Sequence, residues 1–195
     1  VMAIVQRRPG VTYTALVPNL KGAELALAAG LDALSVTVSA SPAYNEKNVR
    51  MTVDQSVDVV GETCRHAAGR VPVDAVVSCA FGSPYEGDID PADVHALGRR
   101  LLAAGATSLT YADTTGMATP RRVDDLLDRT GADVGLHLHE TRGTALVNAY
   151  AALERGVRRF DTSVGGLGGS PFAEGAAGNL ATEDLVHLLD DLGLT

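Results

Sequence analysis

Residues 134–156 read VGLHLHETRGTALVNAYAALERG, an apolar run that passes directly into an amphipathic segment and ends on a glycine. The first part has the composition of a buried strand, and the second has the spacing of a helix that ends at Gly156. Polar side chains cluster between the two parts. The stretch therefore predicts one strand–helix unit with polar residues at the carboxyl end of its strand.

The same unit recurs along the chain. Apolar, strand-like runs occupy residues 11–19, 33–41, 73–82, 108–116, 134–141 and 158–168. Helical patterns follow at residues 21–30, 52–69, 90–105, 119–131, 144–156 and 182–193. Thr52, Asp90 and Thr119 stand where N-caps are expected, and Pro91 and Pro120 occupy the first helical position after two of them. Six strand–helix units in succession predict a parallel α/β sheet covered by helices.

Two α/β architectures fit this alternation: an open doubly wound sheet and a (β/α)8 TIM barrel. Polar residues fall at or near the carboxyl ends of different strands, namely Asn19, Asp113, Thr114, His137, His139, Glu140 and Ser163. A barrel gathers such residues around one mouth, whereas an open sheet spreads them along an edge. We therefore predict a TIM barrel of which six units are represented. Because no linker divides the sequence, residues 1–195 are expected to form a single, partial barrel domain.

Composition argues against several function classes. The 195 residues are 46% hydrophobic and carry a formal net charge of −8. Because the balance is acidic and no basic run is present, neither nucleic acid nor an anionic membrane is an expected partner. No apolar run approaches the ~20 residues of a membrane span. Cys64 and Cys79 do not make a disulfide framework, so we expect a reducing cytoplasm.

His137 and His139 are separated by one residue in a predicted strand, which puts both imidazoles on the same face. Such a pair chelates a divalent metal ion well. The alternative is two polar residues that are hydrogen-bonded to neighbours near a strand end. Asp113 ends the preceding strand and leaves a similar choice. It is either a catalytic carboxylate at the mouth of a barrel or a cap for the loop that follows.

A glycine-rich segment separates the last predicted strand from the last helix. Residues 163–184 read SVGGLGGSPFAEGAAGNLATED and are long enough to act as a binding loop or lid. This loop would bring Asn179 and Glu183 close to the mouth. The alternative is a flexible loop in which Thr182 caps the last helix and the acidic residues complement its dipole.

A second polar stretch, residues 43–52, follows another predicted strand. Lys47 and Arg50 would be able to meet phosphate groups at the rim of the mouth. Taken by itself, however, the stretch is better interpreted as an ordinary solvated loop.

Six motifs occur in the order and spacing of 3-hydroxy-3-methylglutaryl-CoA lyase. They are PNLKG (18–22), KN (47–48), VSCAFGSPYEG (77–87), DTTG (113–116), HLHETRG (137–143) and GLGGSPFAEGAAGNLATEDLV (166–186). The last motif is highly specific, and the first and third are specific in combination. The chain therefore resembles this lyase family over nearly all of its length. His-x-His alone is shared by a wider group of metal-dependent barrels.

The resemblance implies a (β/α)8 barrel of which this chain supplies strands 3 to 8. The first two strands would precede Val1 and would carry an aspartate metal ligand, an arginine beside it and a glutamate near the site. A divalent metal cofactor, Mg²⁺ or Mn²⁺, is also implied, and His137, His139 and Asn179 match its other protein ligands.

The resemblance further implies a reaction and its residues. An acyl-CoA substrate, 3-hydroxy-3-methylglutaryl-CoA, would be cleaved to acetyl-CoA and acetoacetate. Asp113 and Glu183 match family carboxylates implicated in catalysis. Lys47 and Asn48, and more weakly Thr110, match residues near the CoA moiety. Relatives are often dimers, which makes a homodimer an expectation.

The chain departs from the family pattern at five positions. Ser170 replaces a catalytic cysteine in the glycine-rich loop, and Ser83 replaces a frequent cysteine. Glu140, Arg142 and Pro42 replace the usual Asp, Tyr and Glu. Because a serine hydroxyl does not exchange protons near neutrality as a thiol does, Ser170 keeps two alternatives open. They are a related metal-dependent aldolase or lyase acting on another 3-hydroxyacyl-CoA or a 2-oxo acid, and a non-catalytic homologue.

Overall fold

The computed structural model describes residues 1–172 and 177–194. Its strands are β1 Thr14–Leu16, β2 Ala33–Ser39, β3 Val73–Ser78, β4 Ser108–Ala112, β5 Gly135–His137 and β6 Arg159–Asp161. Its helices are α1 Leu20–Ala28, α2 Pro42–Val49, α3 Val53–Ala67, α4 Pro91–Ala103, α5 Pro120–Thr130, α6 Ala145–Glu154 and α7 Thr182–Asp191. One turn of 3₁₀ helix, Val164–Gly166, follows β6. Each strand lies within one of the six predicted runs.

The six strands run parallel and pair in chain order from β1 to β6. Side chains from all six strands line one cavity, including Leu16 from the first strand and Phe160 from the last. The sheet therefore curves around its inner face, as expected for the wall of a barrel. In the part of the chain that the structure describes, β1 and β6 are the edge strands.

The hydrophobic core lies between the outer face of the sheet and the helices. In β2, the buried side chains of Leu34, Val36 and Val38 belong to this core, while Ser35 and Thr37 face the cavity. This alternation follows from the two-residue period of a strand. The inner face is consequently more polar than the outer face, which leaves it suited to holding a ligand.

The predicted N-caps Thr52, Asp90 and Thr119 are confirmed. Their side chains accept hydrogen bonds from backbone N–H groups in the first turns of α3, α4 and α5. Thr52 also forms a reciprocal capping box with Gln55. Asp90 and Thr119 follow loops that leave β3 and β4, whereas Thr52 follows α2, and each residue sets where its helix begins.

The interpretation of residues 43–52 as a solvated loop is wrong, because α2 occupies most of the stretch. Ser41 caps this helix by accepting a hydrogen bond from the Tyr44 N–H, and Pro42 fits its first turn. Glu86 adds a second cap through a 2.9 Å hydrogen bond from the Ala43 N–H. This carboxylate comes from a distant loop, so the local pattern did not reveal it.

Thr182 as the N-cap of the last helix is also wrong. Ala181 occupies the N-cap position and makes no side-chain hydrogen bond. Thr182 is the first residue of α7, and its hydroxyl oxygen lies 2.8 Å from that of Thr162. Within residues 1–172 and 177–194, no helix is long and apolar enough to cross a membrane.

Candidate metal and substrate site

His137 and His139 point their ring nitrogens at each other at the carboxyl end of β5. The two Nε2 atoms are 3.2 Å apart. Nδ1 of His139 lies 3.1 Å from the carbonyl oxygen of Ala177, and Nδ1 of His137 lies 3.3 Å from Oδ2 of Asp161. Because a carbonyl or carboxylate oxygen only accepts, Nδ1 of each neutral ring carries the hydrogen. Both Nε2 lone pairs therefore remain free and face one another.

This arrangement suits a shared cation. Two nitrogens bound about 2.1 Å from one ion lie roughly 3.0–3.4 Å apart for ligand angles between a right angle and a tetrahedral one. Without a cation or a proton between them, the two lone pairs repel. Burial lowers the pKa of His139, with a further lowering from His137, against the raising effect of the Ala177 carbonyl. His139 is therefore held in the neutral form that binds metals.

Asn179 reaches this pair because its backbone extends the sheet. Residues 178–182 lie between the ends of β5 and β6. On one side, the Glu140 N–H donates to the Gly178 carbonyl at 3.0 Å and the Leu180 N–H donates to the Leu138 carbonyl at 2.8 Å. On the other side, Ser163 pairs with Ala181 in a parallel bridge. Asn179 thereby stands directly opposite His139 in an antiparallel bridge.

Among the described residues, one of the two polar atoms of the Asn179 side chain has a hydrogen-bond partner and the other has none. Its Nδ2 donates to the Leu167 carbonyl at 2.8 Å. Its Oδ1 is buried and has no hydrogen-bond partner among the described residues. An unpaired buried carbonyl oxygen is unfavourable, and it is a ligand that Mg²⁺ and Mn²⁺ accept. The residues present therefore fit a divalent ion.

Glycines make the approach of this segment possible. A Cβ on Gly178 would lie 1.8 Å from the carbonyl oxygen of Gly166, and a Cβ on Gly168 would lie 2.9 Å from Nδ2 of Asn179. The chain entering the loop and the chain leaving it thus cross in backbone contact. The glycine-rich composition is what lets Asn179 pack beside the strand ends.

The donor set in this structure is incomplete for a closed metal site. Across residues 1–172 and 177–194, no three His, Cys, Asp or Glu side chains are grouped so that they could hold a metal ion. Among the described residues, the candidate donors are two imidazoles and one amide oxygen. Water, substrate or further protein ligands would have to complete the coordination of Mg²⁺ or Mn²⁺.

A cavity of about 570 Å³ opens beside the histidines. It is lined by Leu16, Ser35, Thr37, Tyr44, Asn48, Val76, Ser78, Ala112, Thr114, His137, His139, Phe160, Asp161 and Thr162. A volume of this size falls in the range of small-molecule and cofactor sites. Of the candidates for CoA and metal binding, Asn48, His137 and His139 belong to this lining.

Asp113 lies outside the lining and caps the loop after β4. Its Oδ1 accepts hydrogen bonds from the Met117 N–H at 2.6 Å and the Ala118 N–H at 2.9 Å. Its Oδ2 is buried and has no hydrogen-bond partner among the described residues. Burial raises the pKa of Asp113 to about 7, although these two hydrogen bonds and the charges of Arg142 and Arg122 oppose the shift. The carboxyl group thus combines the position of a cap with a pKa suited to proton exchange.

Glu183 is exposed at the first turn of α7 and also lies outside the lining. Its Oε2 accepts a 2.8 Å hydrogen bond from the Gly165 N–H, which lowers the pKa of Glu183. This contact joins the start of α7 to the glycine-rich loop.

The two remaining CoA candidates occupy different surroundings. The Lys47 ammonium lies 4.0 Å from the centroid of the Tyr85 ring at the surface. Thr110 is buried on β4, and a Cβ on Gly135 would lie 2.4 Å from its Oγ1. The structure therefore places Lys47 at the outer rim, whereas Thr110 packs against β5 and does not reach the cavity lining.

A protein-family model described as HMGL-like matches residues 1–195. The chain belongs to the HMGL-like family. Its resemblance to 3-hydroxy-3-methylglutaryl-CoA lyase, inferred from six motifs, is thereby confirmed.

Curated relatives of this HMGL-like chain carry the lyase name. The chain is 41% identical over 196 residues to the mitochondrial hydroxymethylglutaryl-CoA lyase of Macaca fascicularis. The aligned region covers 97% of this chain and 60% of that protein. It is 39% identical over 202 residues to the cytoplasmic 3-hydroxy-3-methylglutaryl-CoA lyase of Rattus norvegicus, and this alignment covers 100% of this chain and 58% of that protein. The chain thus spans about three-fifths of the length of these curated relatives.

Solved HMG-CoA lyase structures share the fold. One, from A. baumannii in complex with coenzyme A and 3-methylmalate, matches with a TM-score of 0.92 and 41% identity over 100% of this chain and 65% of that chain. Another, from Brucella melitensis, matches with a TM-score of 0.91 and 38% identity, and the match covers 98% of this chain and 70% of that chain. These matches confirm the TIM-barrel class, of which the six strands form a part.

The departures from the HMGL-like pattern now have structural positions. Glu140 accepts a 3.1 Å hydrogen bond from the Ala145 N–H at the start of α6, and Pro42 occupies the first turn of α2. Arg142 donates to the carbonyls of Thr115 and Gly116 at 3.0 and 2.7 Å. Three of the five departures therefore contribute to helix termini or loop bracing.

The two serine departures lie in hydrogen-bonded pairs. Ser83 donates to the Ser41 hydroxyl at 2.9 Å, beside the cap of α2. Ser170 is hydrogen-bonded to the Tyr44 hydroxyl, and Tyr44 lines the cavity.

Tyr44 and Asp161 are site residues that the sequence analysis did not select. Asp161 pairs in register with His137 on the neighbouring strand, so aligning the predicted strands would have suggested it. Strand alignment does not point to Tyr44, which lies on α2, in a stretch that was interpreted as a loop. Its partner Ser170 is also 126 residues away.

Proposed function

We propose that the protein is a metal-dependent acyl-CoA lyase that cleaves 3-hydroxy-3-methylglutaryl-CoA, or a close homologue, to acetyl-CoA and acetoacetate. The observation that carries the proposal is the pair of opposed His137 and His139 Nε2 atoms. Asn179, whose buried Oδ1 has no hydrogen-bond partner among the described residues, stands opposite His139 in an antiparallel bridge. The names of the relatives, and the coenzyme A in one related structure, support an acyl-CoA substrate.

The three side chains would hold Mg²⁺ or Mn²⁺, with Asp161 orienting His137 from behind. When bound there, the ion would supply Lewis-acid polarisation of the substrate hydroxyl and carboxylate oxygens. Asn48 in the cavity lining and Lys47 at the rim are proposed to contact the CoA moiety, where an ammonium suits a phosphate group. Thr110 stays the weakest CoA candidate because it lies outside the lining.

Asp113 is the proposed base for the 3-hydroxyl proton. Its neighbours in sequence, Ala112 and Thr114, both line the cavity, and a pKa of about 7 suits proton exchange. Because its side chain faces the following loop, we propose that one water molecule carries the proton between substrate and carboxylate. Glu183 is proposed to act as an ionised anchor of the glycine-rich loop, through Gly165.

Ser170 favours a second candidate function within the same family. If the serine reflects a changed reaction, the substrate would be another 3-hydroxyacyl-CoA or a 2-oxo acid, cleaved by a related metal-dependent aldolase or lyase. A non-catalytic homologue would bind metal or CoA without turnover. Both enzyme candidates require the metal site and differ in their substrate, whereas the non-catalytic homologue is distinguished by the absence of turnover on any substrate.

Two further properties belong to the proposal. Cys64 and Cys79 are buried and free, which is compatible with a reducing compartment, and we propose the cytoplasm. A homodimer is proposed by analogy with the family.

The test uses the intact protein that carries this sequence, with Mn²⁺ or Mg²⁺ and 3-hydroxy-3-methylglutaryl-CoA. Equal amounts of acetyl-CoA and acetoacetate are expected, and His137→Ala or His139→Ala should abolish them. His187→Ala, a change at an exposed histidine of α7, is the matched control and should leave the rate unchanged. Metal binding without these products would reject the substrate, and a panel of other acyl-CoA and 2-oxo acid substrates would then identify the alternative.

A further inference from the structure

Tyr44 and Ser170 join two parts of the site that are far apart in sequence. Tyr44 lies on α2, is 3% exposed and lines the cavity. Its hydroxyl is hydrogen-bonded to Oγ of Ser170 in the glycine-rich loop. The Phe172 ring packs edge-on against the Tyr44 ring, with centroids 6.4 Å apart. The Tyr44 hydroxyl is therefore held in a fixed position beside the cavity.

The proposed reaction needs a proton donor that Ser170 alone does not provide. Cleavage leaves a carbanion on the α-carbon of the thioester, and this carbon must gain a proton. An aliphatic hydroxyl is a much weaker acid than a thiol, whereas a phenol, with an ordinary pKa near 10, is closer to a thiol. Burial raises the pKa of Tyr44 while the Ser170 hydrogen bond opposes the shift, so the phenol stays protonated at neutral pH.

We infer that Tyr44 is the proton donor to the product carbanion and that Ser170 positions its hydroxyl. This inference rests on the proposed function, because it assigns a step of that reaction. It differs from the family pattern, in which a loop cysteine is linked to the same step. In this assignment the acidic hydrogen lies on Tyr44 of α2 instead of on the side chain at position 170 of the loop.

The atoms and charges balance without another reactant. The base removes the proton of the 3-hydroxyl, the C–C bond to the α-carbon breaks, and the ketone of acetoacetate forms. The electron pair of the broken bond resides on the α-carbon of the thioester as its enolate. Tyr44 transfers its hydroxyl proton to that carbon, giving acetyl-CoA. The phenolate regains a proton through Ser170 from water, and the base releases its own to water.

A purely structural role predicts something different. The Tyr44–Ser170 hydrogen bond would then serve only to fasten the loop, as does the 2.7 Å hydrogen bond from the Tyr85 hydroxyl to the Phe172 carbonyl. Tyr85→Phe is therefore a comparison variant that removes a loop contact without removing a cavity hydroxyl. If fastening were the only role, Tyr44→Phe and Tyr85→Phe would act alike, mainly on KM.

The experiment measures kcat, KM and deuterium exchange into the methyl group of acetyl-CoA in D₂O, using the intact, metal-loaded protein. Tyr44→Phe should lower both kcat and the exchange rate by at least about 100-fold with little change in KM. Adding Ser170→Cys to Tyr44→Phe should restore kcat to within about tenfold of wild type, because the thiol replaces the lost donor. Tyr111→Phe, at a buried tyrosine outside the cavity lining, should leave both rates unchanged.

The outcomes separate the two proposals. If the wild type releases the expected products but Tyr44→Phe retains its kcat and exchange rate, the proton-donor inference is overturned and the proposed function stands. The same conclusion follows if Tyr44→Phe is slow and Ser170→Cys gives no rescue in a protein that melts normally. If the wild type neither cleaves the substrate nor exchanges the methyl hydrogens, the proposed function fails and this inference fails with it.

Discussion

The Nε2 atoms of His137 and His139 lie 3.2 Å apart while the Nδ1 atom of each ring lies beside an oxygen acceptor. With Nδ1 donating in each ring, the two Nε2 lone pairs point toward the same region of space. This geometry is electrostatically unfavourable in an empty site and becomes favourable when a cation lies between the rings.

Removal of either imidazole should weaken metal binding. We expect His137→Ala and His139→Ala each to lower Mn²⁺ affinity by at least about 100-fold, since each removes one of two nitrogen donors. Isothermal titration calorimetry measures the affinity directly. Mn²⁺ should also raise the melting temperature of the wild type, and EDTA should reverse the increase. Equal Mn²⁺ affinity in wild type and both variants would show that the ion binds elsewhere.

Asp161 should support metal binding without being a ligand. Asp161→Asn replaces the carboxylate that faces Nδ1 of His137 at 3.3 Å. Loss of such a partner typically lowers metal affinity by about 10–100-fold, because ring orientation and basicity both suffer. Asp58→Asn, at an exposed position of α3, is the matched control. A wild-type Mn²⁺ titration curve for Asp161→Asn would exclude this supporting role.

The crossing of the glycine-rich loop should not tolerate even one methyl group. Gly178→Ala would place a Cβ 1.8 Å from the Gly166 carbonyl oxygen, so the backbone that carries Asn179 must move. We expect a loss of about 1–3 kcal/mol in the free energy of unfolding and weaker Mn²⁺ binding. Gly61→Ala in the middle of α3 is the control. Its Cβ would meet the end of the exposed Arg65 side chain at 3.3 Å, which can move away, so the change should be neutral or stabilising by up to about 1 kcal/mol. Equal stability and Mn²⁺ affinity for Gly178→Ala and wild type would contradict the crossing.

Asp113 should make stability depend on pH. Its pKa is raised from 3.8 to about 7 in the folded protein, mainly by burial. The stability that the protonated group contributes is therefore fully present below about pH 4 and is lost as pH rises through about 7. A shift of this size corresponds to at most about 4 kcal/mol.

The variant Asp113→Asn cannot ionise but keeps an oxygen that can accept from the Met117 and Ala118 N–H groups. Its free energy of unfolding should fall less than that of the wild type between pH 4 and pH 8. Urea denaturation at several pH values measures both slopes, with Asp58→Asn as the control. Parallel slopes for wild type and Asp113→Asn would show that Asp113 titrates normally.

The barrel class could be predicted because its determinants are local. Alternating apolar residues, N-caps such as Thr52 and C-terminal glycines specify each strand and helix within a few residues. His137 and His139 share a face for the same reason, since a strand repeats every two residues. The helix α2 was missed although Ser41 and Pro42 show the same cap-and-proline pattern as Thr119 and Pro120. Its second cap, Glu86, had no local signal, because it comes from a loop more than 40 residues away.

The direction of the Asp113 side chain shows a limit of motif matching. Ala112, the last residue of β4, and Thr114 line the cavity, whereas the Asp113 side chain between them accepts hydrogen bonds from the loop after β4. The position of Asp113 at a strand end therefore suggested a site residue, while its cap hydrogen bonds depend on how Met117 and Ala118 fold back. Its predicted catalytic role stays a prediction.

The sequence by itself determined the six strand–helix units, the family and the positions of the two histidines, because short-range backbone preferences and motif order encode them. Only the tertiary structure decided which distant residues meet. Asn179 lies opposite His139 because residues 178–182 pair between two strand ends, and Tyr44 meets Ser170 because the loop folds back over α2. Such contacts depend on the curvature of the sheet and on the backbone crossing at Gly166 and Gly178. No local sequence pattern predicts that Asn179 meets His139 or that Tyr44 meets Ser170.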